Sequence, residues 1–366
     1  MTPTNQKETV MKAKSTLISL VATIAIASMA FAGCSDDEAH SSSLTQEIVD
    51  SVADAVAENL AEAVVDPIVP AEMPEAEIIT VAQIDPVTSA RAAADMVLVG
   101  QKLYSVFDGG ITIYDFTTKE QTVLSVEEKL EAIAVQDGTI YAGGDYLYIV
   151  GEDGLQRLNF EFEGIINCLE VHGFALMIGT ERGLYSKGIM GRQKLLDDVA
   201  VTAMASQDNS LWIGTDGQGL YNWDGDEFRK RFLLRDEQLF DTVRALDYQH
   251  NHLYVGTSNG FHIYNGGAWQ NIDTVDGLPT NAVTAIDASN WVVYVGTEAG
   301  MVSWFGGTVE SVEQFAGQHV TAVKTRGRNI MAATDREGIL MKSGRMVTTL
   351  VDPEVEGGRA VVTISQ

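Results

Sequence analysis

The chain has 366 residues, with 51 Asp and Glu against 24 Lys and Arg, and a formal charge of −27 at neutral pH. Phosphate backbones need a basic surface, so nucleic acid is not an expected partner; the acidity suits a soluble, self-repelling exterior. Cys34 and Cys168 are the two cysteines, which leaves no disulfide within the body of the chain, and a buried inert thiol is the ordinary state for Cys168.

Residues 1–34 read as a targeting segment. Lys12 and Lys14 precede an apolar stretch from Leu17 to Ala32, short for a spanning helix, which needs roughly 20 apolar residues, and ending in small residues as a signal peptide does. Its end, Phe31-Ala32-Gly33-Cys34, resembles a bacterial lipobox. That resemblance implies lipidation of Cys34 and a membrane anchor; the acidic run from Ser35 to Glu38 fits a tether after it, and Ser35 favours sorting to the outer membrane. The competing reading is ordinary cleavage after Ala32, which leaves Cys34 unmodified.

Residues 35–76 form an acidic tether, and no Lys or Arg occurs anywhere from 35 to 90. Leu44, Ile48, Val52, Val56, Leu60 and Val64 recur every four residues against Asp50, Asp54, Glu58, Glu62 and Asp66. Steps of four hold each set on one slowly drifting helix face, so an amphipathic helix is expected over about 44–65. It ends before Pro67 and Pro70. Packing on the following domain, pairing with a partner helix and acting as a stalk are its candidate roles; the wholly acidic polar face argues against an anionic membrane surface.

Residues 77–366 carry a repeat. Tyr254-Val255-Gly256-Thr257 with Gly260-Phe261 recurs at Trp212-Ile213-Gly214-Thr215, at Met177-Ile178-Gly179-Thr180 and at Tyr294-Val295-Gly296-Thr297. Weaker copies surround Val106, Gly143 and Ala333, and the seven anchors lie 35 to 42 residues apart. Short strands at such a period indicate propeller blades. The apolar run Val283-Thr284-Ala285-Ile286 reads as an inner strand. The two or three residues between each Gly-Thr and the next Gly allow only a tight antiparallel turn. The expected fold is therefore all-β: one propeller, with seven four-stranded blades as the first reading and six or eight as alternatives. The spare segments Ile78–Val81 and Ala360–Ile364 are expected to fasten the ring, at least one of them joining the blade that holds Thr334.

The repeat resembles the two-component-regulator propeller repeat, through Gly277-Leu278-Pro279, Val283-Thr284-Ala285-Ile286, Leu211-Trp212-Ile213-Gly214-Thr215 and Gly219-Leu220-Tyr221. The resemblance covers about 94–350 and implies a periplasmic sensor propeller. No kinase segment follows the repeats in this sequence, so it implies binding rather than output.

Searching for chemistry gives little. His250-Asn251-His252 and the acidic turns at Asp216 and Asp224 fall short of metal-ligand spacing. No nucleophile elbow, zinc helix or phosphate loop is present. The basic run Arg229-Lys230-Arg231 with Arg235 reads as a solvated outer strand. Catalytic residues, metal and cofactor are accordingly not expected. Propellers take ligands at a channel mouth, where Arg182, Gln218, Asn259, Glu298 and Arg336 occupy equivalent turn positions with non-identical polar side chains. They are the candidate ligand-binding ring. The expected function is a lipid-anchored, non-enzymatic platform in the cell envelope, for protein interaction or ligand sensing, whose partner is an envelope protein or a small ligand. The alternative is an envelope propeller enzyme of lyase or hydrolase type.

Overall fold

The computed structural model describes residues 93–351, except 152–153, 189–190, 232–241 and 290. The leader with Cys34, the tether with its helix, Arg235 and both spare segments lie outside the described residues. The described residues form seven four-stranded antiparallel sheets, each with its strands in chain order. Blades one to seven span 95–125, 130–157, 166–197, 201–231, 243–272, 283–311 and 320–351. The expected fold is met, and the count is seven rather than six or eight.

The seven inner strands are Asp95–Val99, Leu130–Gln136, Ile166–His172, Val201–Gln207, Val243–Gln249, Val283–Ser289 and Val320–Arg326. Each packs beside the inner strand of the next blade, and the first packs beside the last. Chains run from an entry face, where inner strands begin, to an exit face. Because neighbours are antiparallel, the turns between second and third strands return to the entry face.

The Gly-Thr pair explains how blades meet. A Cβ placed on Gly256 would lie 2.4 Å from Val283 Cγ1 of the next blade. The same would hold at 2.5 Å for Gly214 against Val243, and at 2.7 Å for Gly296 against Val320. Each glycine is thus a seat for the first β-branched residue of the following inner strand, and that residue is fully buried: Val243, Val283 and Val320 are 0% exposed. In blade seven Ala333 replaces glycine, and its cluster includes the small Ala93, which lies just before the first strand of blade one. The threonine that follows caps the turn. Thr257 Oγ1 donates to Gly260 O at 3.1 Å and accepts Asn259 N–H at 3.0 Å. Thr180, Thr297 and Thr334 repeat both bonds.

A second tie sits one residue into four of the inner strands, where the register shifts by a bulge. The extra residue reaches across to the next blade. Thr202 Oγ1 donates to Val243 O, Thr284 Oγ1 to Val320 O and Thr321 Oγ1 to Ala93 O, at 2.5, 2.5 and 2.7 Å. Asn167 Nδ2 does the same to Val201 O at 3.0 Å.

In the blade that holds Thr334 the described strands number four, all from the continuous run 320–351. Among the described residues the ring closes by side chains between blades seven and one. Met331, Ile339 and Leu350 cluster with Met96, Leu103 and Tyr114. Arg326 bonds Gln101 and lies 4.6 Å from the Phe116 ring centre.

If the glycine seat governs blade approach, G256A will destabilise the fold by about 1–3 kcal/mol through overpacking. In urea titrations the double variant G256A/V283A is expected to lie closer to wild type than the sum of the single changes, because the two sites share one contact.

Candidate functional site: the central channel and its mouths

An inner strand pairs on one side only, so its other edge presents amides and carbonyls to the channel. The channel encloses a cavity of about 370 Å³, walled by residues of all seven inner strands. Asp95, Glu131, Glu170, Arg244 and Lys324 line it, and Asp247 and Asp287 lie near enough to act on Lys324, so Asp95, Glu170, Asp247, Asp287 and Lys324 form one charged group drawn from five blades. Four of them share a register. Glu170, Asp247, Asp287 and Lys324 pair with Met177, Tyr254, Tyr294 and Met331, the second residue before each glycine or its alanine substitute.

The carboxylates bind the neighbouring blade's edge. Asp95 Oδ2 accepts Ile133 N–H at 3.1 Å, Glu170 Oε1 accepts Ser206 N–H at 3.2 Å and Asp247 Oδ2 accepts Ala288 N–H at 2.7 Å. Asp287 Oδ2 accepts from Thr325 Oγ1 at 2.7 Å, and its Oδ1 lies 3.7 Å from Lys324 Nζ. Burial pushes the Asp95, Glu170 and Asp247 carboxyls up, Glu170 to about 7 and Asp247 to about 6, against the lowering pull of amide bonds and of Lys324. Burial alone would lower Lys324, but the four surrounding carboxylates outweigh it and raise its pKa. Cys168 lines the same wall, and burial raises its thiol well above the usual range.

At the entry face the five residues expected to bind ligand occupy the turns after Gly-Thr, around the mouth rather than on the cavity wall. Glu298 accepts from Arg244 Nη1 of the adjacent blade at 2.8 Å. Gln218 donates from Nε2 to Asp198 O at 3.1 Å and accepts Tyr221 O–H at 3.1 Å. Arg182 and Asn259 are exposed, and their main-chain amides are held by Thr180 and Thr257. Arg336 is 76% exposed beside Asp335. The structure therefore places all five on one face, but no hydrogen bond or ion pair of Arg182, Gln218, Glu298 or Arg336 goes to another of the set.

At the exit face His250 stacks on Trp291 with ring centres 3.8 Å apart, and Trp291 is 65% exposed with a left-handed φ of 71°. His250 belongs to a turn and His252 begins a strand, its Nδ1 2.8 Å from the His250 carbonyl oxygen. Among the described residues no three His, Cys, Asp or Glu side chains are grouped to hold one metal ion, and no helix is long and apolar enough to cross a membrane.

The channel charges were not singled out from the sequence. Their signal is a charged residue four positions after the β-branched residue that opens an inner strand: Ile166 to Glu170, Val243 to Asp247, Val283 to Asp287, Val320 to Lys324.

These features define a seven-bladed β-propeller with a charged channel. Solved structures share that fold. The extracellular domain of BT3049 from B. thetaiotaomicron, described as a hybrid two component system, matches with a TM-score of 0.58 and 15% identity, over 73% of this chain and 41% of that one. The extracellular domain of BT4673 from the same organism, described as a one component system, gives 0.58 and 14%, over 70% and 39%. The chain thus spans about two fifths of those domains. The WD40 propeller domain of Doa1 gives 0.57 and 14%, over 72% and 96%. No family model and no curated protein matches the chain. At these identities the likeness is one of fold, and it agrees with the repeat's resemblance to the two-component-regulator propeller.

The raised Glu170 and Asp247 carboxyls bind protons more tightly folded than unfolded, so their contribution to stability grows as pH falls from about 7 towards about 4.5. The lowered His172 and His262 act in the opposite direction below about 6.5. In E170Q/D247N, where each amide oxygen still accepts its N–H bond, the rise in melting temperature from about pH 8 to about pH 5 is expected to be smaller than in wild type. An equally steep rise would show that these two groups do not carry it.

Proposed function

We propose that this chain is an exported, lipid-anchored propeller of the two-component-regulator type, a non-enzymatic platform that takes an envelope protein or a small ligand at its entry face. The carrying observation is the arrangement of that face. An open channel with a charged wall is ringed by turns that share a backbone cap and differ in their polar side chains at Arg182, Gln218, Asn259, Glu298 and Arg336. A common scaffold with variable tips is what recognition loops on a rigid frame require. The extracellular domains among the structural neighbours support an exported setting. Anchoring through Cys34, with the outer membrane as destination, rests on the lipobox-like leader.

The grouping of Asp95, Glu170, Asp247 and Asp287 around Lys324 favours a second reading, an envelope lyase or hydrolase acting in the channel. Proton-transfer groups must be free to reach a substrate. Here three of the four carboxylates hold amides of a neighbouring blade and the fourth holds a threonine hydroxyl and the lysine. That engagement makes the platform the better-supported reading.

Photo-cross-linking residues placed at Arg182 and Asn259 in the producing cell are expected to trap a specific adduct that a probe at the outer-strand residue Val123 does not. Charge reversal at both Arg182 and Arg336 should weaken the adduct. Equal labelling at all positions would remove the entry face as the binding surface. C34A should release the protein from the membrane fraction; retention there would remove the lipid anchor.

A further inference from the structure

Blade three differs from the others at its rim. Its outer strand, Gly191–Asp197, has seven residues, against three to six in the other outer strands. Its outward edge has no ladder partner among the described residues, and Gly191, Arg192 and Gln193 are exposed. Lys187 on the adjoining strand is the direct cross-strand partner of Arg192, and Tyr185 that of Lys194. Side chains at directly opposed and alternate positions share a face, so Lys187, Arg192 and Lys194 crowd one side of this hairpin.

The three cations are not equally neutralised. Lys194 pairs with Asp197 at 2.5 Å and Glu163 at 3.0 Å. Lys187 and Arg192 have no carboxylate within ion-pair distance among the described residues, although the chain holds more than twice as many acids as bases. They lie instead against aromatic rings. Lys187 Nζ donates to the Tyr141 hydroxyl at 3.3 Å and lies 4.8 Å from that ring's centre, and the Arg192 guanidinium is 5.5 Å from the centres of Phe162 and Tyr185. Like charges directly opposite across a ladder destabilise it. Edge charges ward off self-pairing, but one cation does that; two facing each other leave a repulsion that an anion relieves.

We propose that this hairpin is a docking edge for an extended acidic polypeptide, which adds as a fifth strand beside Gly191–Asp197. An added strand lies about 4.8 Å away and puts alternate side chains on one face. Carboxylates at every second residue therefore come opposite Arg192 and Lys194, with Lys187 behind them. Backbone bonds along the free edge supply affinity, and the cations on their aromatic rings select acidic over neutral sequences.

The test is fluorescence anisotropy of the full chain with a labelled peptide alternating glutamate and valine. Binding is expected, weakening as salt rises, and K187Q and R192Q should each reduce affinity by about tenfold. R229Q, which alters an outer-strand arginine of blade four already paired with Asp224 at 2.9 Å, should leave it unchanged. Amide exchange in Gly191–Asp197 should slow on peptide addition in both wild type and R229Q. Absence of binding, equal loss in R229Q, or an unaltered exchange rate would overturn the proposal. So would full retention of binding by a peptide with prolines at its hydrogen-bonding positions, or full displacement by inorganic phosphate, since each describes a simple anion site instead.

Discussion

A valine or isoleucine from one blade sitting on a bare glycine of the blade before it is the contact on which the ring depends. A methyl group there would come within 2.4, 2.5 and 2.7 Å of the neighbouring valine at Gly256, Gly214 and Gly296, well inside van der Waals contact. Interiors pack at near-crystalline density and yield little, so the seat sets how closely consecutive sheets approach. The bulged threonines complement it by bonding the same residue's carbonyl, at Val243 and Val320. Shape and hydrogen bonding thus act on one residue from two sides. Blades three, four and six each hold the next by this pair of contacts, so the spacing of those inner strands around the channel follows from local packing.

Much of this was legible in the sequence because the demand for glycine and threonine is strict and recurs. No other residue fits where Val283 rests on Gly256, and Thr257 caps a turn too short for a longer device. The repeat fades where the demand relaxes. Blade seven carries Ala333 in a cluster that includes Ala93, and blade one carries Val106 in a cluster with Leu130 and Ile133. The channel charges escaped notice because a single Asp in Val243–Gln249 resembles an ordinary polar position of an alternating strand. Convergence across five blades is a property of ring closure, and no local window contains it. Repeat arithmetic put Arg182, Gln218, Asn259, Glu298 and Arg336 at equivalent turns, which the structure places on one face, yet the sequence did not show that Glu298 is held by Arg244.

The two charged regions differ in kind. Around the channel Asp95, Glu170, Asp247 and Asp287 each have a hydrogen-bond donor from the following blade, and the lysine is surrounded by those four carboxylates. Such a network favours one arrangement of the blades over sheared alternatives, since a shift of register would strand a buried charge. On the rim of blade three, cations rest on aromatic rings in view of solvent. The first region is saturated by the protein itself, while the second retains capacity for an outside anion.

The raised Glu170 and Asp247 carboxyls also reach into the heat of folding. A chain that buries an acid with a pKa of about 7 draws protons from solution as the ring forms near neutrality. The buffer must release them, and its ionisation enthalpy enters the calorimetric signal. Melting the ring in phosphate and in Tris, at one pH, would then give two different unfolding enthalpies for the same structural change.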